Sequence, residues 1–143
     1  MGIWFGTPTV EEGNRMMRGL LADHLGIRFT EFGEDYLRGT MPVGPRTHQP
    51  MGYLHGGASV VLAESLGSVA ANCVVDAGRF RCLGQEINAN HLRPVTGGLV
   101  TGTARPIHLG ARSQVWGIEI RDDRERLVCI SRLTIAIVDW RPE

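Results

Sequence analysis

Residues 58–76 read ASVVLAESLGSVAANCVVD, and they lie in the most apolar part of the chain. They predict the main helix, which we place at about residues 57–76. Small Ala, Ser and Gly residues occur on every face of this helix, so that other segments can approach it closely from all sides. Such a helix suits the centre of a domain, wrapped by a sheet. We do not interpret it as a membrane span, because Glu64 and Asn72 interrupt it.

The segment before the main helix predicts a short helix, a hairpin and a loop. A capping box, T-x-x-E from Thr9 to Glu12, indicates a first helix over about residues 9–25. Two runs rich in β-forming residues, 27–32 and 36–41, flank a turn and predict a hairpin. The Pro- and Gly-rich residues 42–57 then predict a long ordered loop, which in a compact domain is more often functional than not.

The segment after the main helix contains four strand-like runs separated by short turns: residues 81–92, 99–109, 113–121 and 126–138. Short turns join antiparallel neighbours, so these runs predict a four-strand meander. The order of helix, hairpin, loop, central helix and meander indicates the α+β class. We expect one domain over residues 1–143, with a long curled antiparallel sheet around the central helix.

Composition excludes several kinds of function. The chain has 143 residues, with 15 acidic and 15 basic side chains, and every basic one is arginine. This balance argues against a strong general attraction to nucleic acid or an anionic membrane. Without lysine there is no Schiff-base lysine and no P-loop lysine. The three cysteines form no C-x-x-C pair, which argues against a disulfide framework and predicts a cytoplasmic protein. We expect no signal peptide.

The familiar catalytic motifs are missing from the sequence. There is no G-x-G-x-x-G, G-x-x-x-x-G-K, G-x-S-x-G or H-E-x-x-H, and the His and Cys residues do not have zinc-site spacing. We therefore predict neither a metal site nor a bound cofactor.

One acidic residue in the main helix stands out. Glu64 is surrounded by aliphatic residues and lies four positions before Ser68, so that the two side chains share a helix face. An ionised carboxylate on a buried face is costly unless it is paired or used in chemistry. The alternative, which the sequence leaves open, is that Glu64 lies on a solvent face of an amphipathic helix.

The start of the same helix offers a second candidate. Gly56 and Gly57 lie where the first backbone N–H groups of a helix have no partner, and glycine lets a carbonyl approach closely. A simple helix cap remains the alternative, and neither His55 nor Gln49 is informative by itself. A carbonyl held at this terminus and a carboxylate two turns further on, facing the same cavity, would suit hydrolysis of an activated ester. Because a carboxylate is a weak base, a thioester fits better than an amide.

Three segments carry a resemblance to a known family: HQPMGYLHGGASVVLAESLGS (48–68), GQEINANHLR (84–93) and RPIHLGARSQVWGIEI (105–120). Together they resemble the hotdog-fold acyl-CoA thioesterases, in the branch of the 4-hydroxybenzoyl-CoA and phenylacetyl-type enzymes. They look most like the bacterial thioesterases for 1,4-dihydroxy-2-naphthoyl-CoA and their relative from enterobactin synthesis. The resemblance runs from about residue 26 to 138. It implies a hotdog fold, and a homodimer or a dimer of dimers with active sites shared between subunits.

The resemblance also implies catalytic roles. Glu64 corresponds to the nucleophile or general base, and the Gly56 N–H to the oxyanion donor, with His55 beside it. Gln49 corresponds to the residue that holds the thioester carbonyl or the attacking water, and Ser68 to the residue that supports Glu64. Gln49, His55 and Gly56 would come from one subunit, and Glu64 and Ser68 from the other.

Further correspondences concern substrate binding. His91 would line the acyl pocket with Arg93 beside it, and Gly84 belongs to the same strand. The coenzyme A nucleotide and phosphates would be held by His108, Leu109, Gly110, Ala111, Arg112 and Ser113. The guanidinium of Arg112 suits a phosphate, which it can bind through two hydrogen bonds. Judged without the family, Arg112 is an ordinary solvated turn residue.

The expected activity is hydrolysis of an aromatic or medium-chain acyl-CoA, with 1,4-dihydroxy-2-naphthoyl-CoA as a candidate and with no cofactor beyond the coenzyme A of the substrate. Two alternatives use the same groove: a non-catalytic acyl-CoA-binding module, and a proofreading thioesterase for acyl groups on a carrier protein. A hotdog dehydratase is disfavoured, because its catalytic His with a partner acid is not found.

Overall fold

The computed structural model describes residues 2–142. Within this range the helices are α1 (Val10–Met17), α2 (Leu21–His24) and α3 (Gly56–Val74), and the strands are β1 (Arg28–Phe32), β2 (Leu37–Pro42), β3 (Phe80–His91), β4 (Leu99–Leu109), β5 (Ser113–Arg121) and β6 (Leu127–Asp139).

The strands of residues 2–142 form one antiparallel, six-stranded sheet in the order β1-β2-β4-β5-β6-β3. The sheet curls around α3 without closing, and this confirms the expected hotdog fold. The helix satisfies the length and hydropathy of a membrane-crossing segment, but half of that window is buried inside the fold. It is therefore packed as the core helix of this domain.

The predicted meander is only partly correct. β4, β5 and β6 are sequential neighbours, but β3 pairs with β6 and lies at the edge of the sheet. β4 already has β2 on one side and β5 on the other, so no position beside it is left for β3. The connection of residues 92–98 therefore crosses the end of the sheet. Nothing local in the sequence predicts this pairing.

The predicted first helix is also wrong in extent. Its capping box is present, since the Thr9 hydroxyl accepts the Glu12 N–H at 3.3 Å. The helix ends at Met17, and a second one begins at Leu21. Between them Gly19 has a φ of +75°, which ends the helical path, and its N–H is accepted by Asp23 at 2.8 Å.

Close packing of α3 on the sheet depends on small residues. Leu62 and Leu66 are fully buried between the helix and the sheet. A Cβ atom at Gly102 on β4 would lie 2.6 Å from Leu66 Cδ1, so that only glycine allows this approach. Each buried leucine stabilises the fold by about 1.5–3 kcal/mol.

The side of α3 towards β3 is less covered. Among the residues of α3 that are not fully buried, seven recur every three or four positions and define an uncovered stripe along the helix: Gly57, Val60, Val61, Glu64, Ser65, Ser68 and Asn72. The stripe combines aliphatic and small polar side chains. It lies beside β3, an edge strand whose outer side has no neighbouring strand within residues 2–142.

Candidate active site

The N-terminus of α3 presents a free backbone donor. His55 is the N-cap, and its Nδ1 accepts the Gly57 N–H at 2.8 Å. The Ala58 N–H is accepted by the His55 carbonyl at 3.0 Å. In the described part of the chain, the Gly56 N–H has no acceptor. This donor is therefore available to a carbonyl oxygen, and the partial positive charge of the helix terminus favours developing negative charge there.

Gln49 is held by a tight turn. Its backbone N–H donates to the Tyr53 carbonyl at 2.8 Å, and its carbonyl accepts the Gly52 N–H at 2.9 Å. The side-chain oxygen of Gln49 accepts the Met51 N–H. This contact leaves the side-chain NH2 group as the part of Gln49 that can donate to a ligand.

A cavity of about 330 Å³ joins the turn to the helix terminus. Of the predicted residues it is lined by Gln49, Gly56, His91 and Arg93. It is also lined by residues that we did not predict: Tyr53, Leu54, Ser59, Leu92, Pro94 and Val128. A Cβ at Gly56 would lie 2.7 Å from His91 Nε2, so that glycine lets this imidazole contact the helix terminus. We call Gln49, His55, Gly56 and His91 the N-terminal half-site.

Glu64 lies in a different place. Its side chain is half-buried, and Oε1 accepts the Ser68 hydroxyl at 3.2 Å. The carboxylate lies over Gly84 of β3, where a Cβ would overlap Oε1. Gly84, which we predicted to bind substrate, thus makes room for the carboxylate. We call Glu64, Ser68 and Gly84 the carboxylate half-site.

The two half-sites do not share a cavity within one chain, contrary to the expectation from the spacing of Gly56 and Glu64 along α3. The resemblance, in contrast, implied that they come from different subunits. Glu64 does not line the cavity beside Gly56. Eight residues of helix separate Glu64 from Gly56, which is about 12 Å of helix rise. Gly84 and His91 are seven residues apart on β3, which is about 23 Å of strand. One carbonyl cannot touch both half-sites of the same chain.

A second cavity opens beside the carboxylate half-site. It has a volume of about 440 Å³ and is lined by Met16, Ser68, Val69, Asn72, Cys73, Ala77 and Arg81. Burial raises the pKa of the Cys73 thiol to about 11, so that this thiol stays protonated at neutral pH. Apart from Ser68, these residues were not predicted. The sequence could have indicated Asn72, because Glu64, Ser68 and Asn72 recur every four residues along one helix face.

The predicted coenzyme A residues form the β4–β5 turn. The Gly110 N–H donates to the Ser113 carbonyl at 2.9 Å and closes this turn. Through the strand register, Ser113 is aligned with Ala136 of β6, and Ala136 with Leu83 of β3. The six turn residues therefore lie two strands from the carboxylate half-site, at the same level of the sheet. They do not line the cavity beside Gly56.

Arg112 is the exposed cation of this turn. Its side chain is 77% exposed and lies 3.6 Å from Asp139, a loose ion pair that leaves most of the guanidinium free. Within residues 2–142, no group of three His, Cys, Asp or Glu side chains is placed to hold a metal ion.

Comparison with known proteins identifies the fold and chemistry of the relatives. A family model described as the thioesterase superfamily matches residues 51–129. The chain is 53% identical over 136 residues to the 1,4-dihydroxy-2-naphthoyl-CoA hydrolase of Escherichia coli, covering 95% of this chain and 99% of that protein. It is 48% identical over 136 residues to the proofreading thioesterase EntH of Cronobacter turicensis, covering 95% and 98%.

Solved structures agree with these relatives. A mutant of thioesterase PA1618 from Pseudomonas aeruginosa, with one glutamine replaced by alanine, superposes with a TM-score of 0.96 at 49% identity, covering 97% of this chain and all of that one. Two mutants of the thioesterase SAV0944 from Staphylococcus aureus are both 38% identical to this chain. The first superposes with a TM-score of 0.81 and covers 84% of this chain and 99% of its own. The second superposes with a TM-score of 0.79 and covers 82% of this chain and 97% of its own. One replaces a glutamate and the other a glutamine, fifteen positions apart.

Proposed function

The chain belongs to the thioesterase superfamily and is a thioester hydrolase with the hotdog fold; from this premise we propose that it hydrolyses aromatic or medium-chain acyl-CoA thioesters, with 1,4-dihydroxy-2-naphthoyl-CoA as the leading candidate. The single observation that carries the proposal is the pair of half-sites. Each holds part of the machinery for thioester hydrolysis, and they lie too far apart in one chain to act together.

A second copy of the chain would join them. β3 is an edge strand, and most of its residues from Gly84 to His91 are exposed. Antiparallel pairing of two β3 strands about a two-fold axis near Ile87 would place Gly84 of one subunit close to His91 of the partner subunit. The carboxylate half-site of each subunit would then face the N-terminal half-site of the other. The uncovered stripe of α3 would be buried by the same contact.

This arrangement supports a definite mechanism. The thioester carbonyl accepts a hydrogen bond from the Gly56 N–H, and the Gln49 amide holds the carbonyl or the attacking water. Glu64 of the other subunit attacks the carbonyl carbon and expels the coenzyme A thiolate, which takes a proton from solvent. Water then cleaves the resulting anhydride, which releases the acid and regenerates the Glu64 carboxylate. Alternatively, Glu64 takes a proton from a water molecule that attacks directly, and passes it to the departing thiolate. Ser68 donates to Glu64 and fixes the orientation of its carboxylate.

The cavity beside Ser68 supports an aromatic or medium-chain acyl group. Its volume of about 440 Å³ is within the range of ordinary ligand pockets, about 300–1,000 Å³. Val69 and Ala77 provide apolar walls, and Asn72 and Arg81 provide polar groups at the rim that suit ring hydroxyls. We assign the acyl group to this cavity and the coenzyme A phosphates to Arg112 and its turn.

The relatives support the choice of catalytic residues. The substituted glutamine and glutamate of the Staphylococcus aureus thioesterase are fifteen positions apart, the same spacing as from Gln49 to Glu64. The three thiols, all free in the structure, support a cytoplasmic location as part of the proposal. The assembly of dimers into a tetramer stays a prediction.

A panel of substrates tests the activity. Release of free thiol is measured with 1,4-dihydroxy-2-naphthoyl-CoA, benzoyl-CoA, hexanoyl-CoA and decanoyl-CoA, and with benzoyl groups on a phosphopantetheine carrier protein. The proposal expects the highest kcat/KM on an aromatic or medium-chain CoA ester. Faster turnover of the carrier-linked ester would favour proofreading. Binding of all CoA esters without thiol release would indicate a non-catalytic module.

Mixing two variants tests the shared site. Gln49→Ala and Glu64→Gln each damage a different half-site, so either homodimer has two defective sites. After subunit exchange, about half of the dimers are mixed and each has one intact site, which restores about a quarter of the wild-type activity. No recovery despite proven exchange would show that both residues act within one subunit.

A further inference from the structure

Asn72 makes an unusual set of contacts with β3. Its side-chain oxygen accepts the Cys82 N–H at 2.9 Å, and its side-chain NH2 donates to the Cys82 carbonyl at 3.0 Å. The same NH2 group donates to the Ser68 carbonyl at 2.9 Å. The amide of Asn72 therefore pairs with Cys82 as the backbone of a neighbouring strand would.

The Cys82 N–H and carbonyl, which Asn72 binds, point to the open edge of the sheet. Ile137, the partner of Cys82 on β6, donates its own N–H to Arg112 on the other side, at 2.9 Å. Cys82 and Ile137 are therefore a non-hydrogen-bonded pair, and the Cys82 N–H and carbonyl are directed away from β6. Without Asn72 both groups would lie unpaired beside α3, at a cost in stability.

Asn72 belongs to the same helix column as the proposed catalytic carboxylate. Glu64, Ser68 and Asn72 are spaced four residues apart on the side of α3 that faces β3. Opposite them, Cys82 contacts Asn72, and Gly84, two residues on, lies beneath the Glu64 carboxylate. A β-bulge follows directly after Gly84. The regular register of β3 and β6 is thus interrupted just where the carboxylate lies, and Asn72 holds the part of β3 before the bulge against the helix.

We infer that Asn72 is a positioning residue for Glu64. By completing the edge of β3 at Cys82, it sets the separation of α3 and β3 at which the Glu64 carboxylate lies over Gly84. It also occupies the edge at Cys82, so that the strand of a partner subunit can pair only beyond this residue. The inference rests on the catalytic role of Glu64 in the proposed function.

The chain contains a matched control at the opposite edge of the sheet. Asn14 of α1 accepts the Phe29 N–H at 2.8 Å and donates to the Phe29 carbonyl at 2.9 Å, which is the same two-bond pattern on β1. A β-bulge also follows Phe29. Asn14 contacts neither half-site, so Asn14→Ala removes the same pair of hydrogen bonds to a strand backbone without touching the proposed site.

The experiment compares Asn72→Ala with Asn14→Ala in the full-length protein. Both variants are expected to lower the melting temperature, because each leaves a backbone N–H and a carbonyl unpaired. Asn72→Ala is expected to lower kcat about 10- to 100-fold, with KM changed less than about twofold, because misplacing a catalytic group costs rate more than binding. Asn14→Ala is expected to keep kcat within about twofold. Equal kcat in the two variants would overturn the inference.

A double-mutant cycle separates positioning from a general loss of structure. If Asn72 acts through Glu64, then Asn72→Ala in a Glu64→Gln background changes the residual rate less than about twofold. The full 10- to 100-fold loss in that background would show that Asn72 acts elsewhere. Should Asn72→Ala not fold, Asn72→Asp carries the same test, since it keeps the acceptor for Cys82 and loses both donors.

The same measurements keep the two proposals distinct. An active wild-type enzyme with an inactive Glu64→Gln variant supports the proposed function, whatever Asn72 does. A wild-type protein that releases no thiol from any acyl-CoA rejects the proposed function and the role of Asn72 with it. An active enzyme whose kcat is insensitive to Asn72→Ala rejects only the positioning role.

Discussion

The two edges of the sheet differ in how they are covered. β1 is five residues long and is covered by α1, which approaches so closely that a Cβ at Gly13 would lie 2.8 Å from the Phe29 ring. β3 has twelve residues, of which Asn72 pairs only Cys82, and most of the remainder is exposed. An exposed strand edge invites pairing with another chain, and proteins usually protect such edges. The fold closes one edge and leaves the other open beside both half-sites.

The largest effect should come from blocking the open edge. Ala89 lies two positions after Ile87 on β3 and pairs with Ser131 of β6. Ser131 and Ile137, the partner of Cys82, are an even number of residues apart on β6. The Ala89 N–H is therefore directed to the free edge of the sheet, as the Cys82 N–H is. Ala89→Pro removes that donor and adds a ring while preserving the pairing with β6. We expect a folded monomer whose kcat/KM falls more than about a thousandfold, because the half-sites separate. Light scattering and thiol release measure both effects.

Ala89→Ser is the control for this change, since it keeps the backbone N–H. It is expected to stay dimeric with activity within about twofold of wild type. An Ala89→Pro protein that is a fully active dimer would show that β3 is not the interface, and would remove the contrast between the two edges.

The next largest effect concerns the carboxylate beside the open edge. Glu64→Gln keeps the shape of the side chain and removes its charge. We expect kcat to fall about 100- to 1000-fold with KM within about threefold, because the carboxylate acts on the transition state. Steady-state kinetics on the best substrate give both constants.

Glu34→Gln is the matched control, because Glu34 is an exposed carboxylate on the β1–β2 turn, at the edge of the sheet opposite β3. Its activity should stay within about twofold of wild type. A Glu64→Gln variant that changes only KM would contradict a catalytic role for Glu64.

A smaller effect is expected at the β4–β5 turn. Arg112→Ala removes a largely free guanidinium, so KM for acyl-CoA should rise about tenfold while kcat changes less than about twofold. Arg124→Ala, at an exposed position on the β5–β6 turn, provides a matched loss of one positive charge. Equal KM values for the two variants would remove Arg112 from the coenzyme A site.

The smallest effect tests the cavity beside the carboxylate half-site through its thiol. Because burial raises the pKa of Cys73 to about 11, its reactive thiolate is scarce at pH 7 and increases about tenfold per pH unit up to that value. Alkylation by iodoacetamide, followed by mass spectrometry, should rise in the same way. A non-hydrolysable aromatic acyl-CoA analogue should protect Cys73. Fast labelling at pH 7, or no protection, would argue against an acyl group in this cavity.

Much of the fold could be predicted because it depends on local patterns. The main helix, predicted at about residues 57–76, spans Gly56–Val74, and the strand predicted at 113–121 has these bounds in the structure. The prediction of one first helix was wrong at Gly19, since periodicity alone does not show where a glycine adopts a positive φ. The predicted position of β3 in the sheet was wrong because its pairing with β6 depends on contacts between residues far apart in the chain.

The residues of the candidate site also fall into those that the sequence indicated and those that only the structure showed. Resemblance to a family pointed to Glu64, Gly56 and Gln49, and the structure places each in a chemically plausible environment. It did not point to Asn72, whose partner Cys82 lies on another element. Nor could it show that Gly84 is needed because a carboxylate lies over it.

Local patterns in the chain were enough to predict the central helix, the strand segments and the family, because these follow from hydrophobic periodicity, turn residues and motifs within a few positions of one another. The folded arrangement alone shows which edge of the sheet stays open. It also shows that about 12 Å of α3 separates the two half-sites of one chain. These features depend on strand order and on distances between elements, which are fixed only when the sheet has curled around its helix.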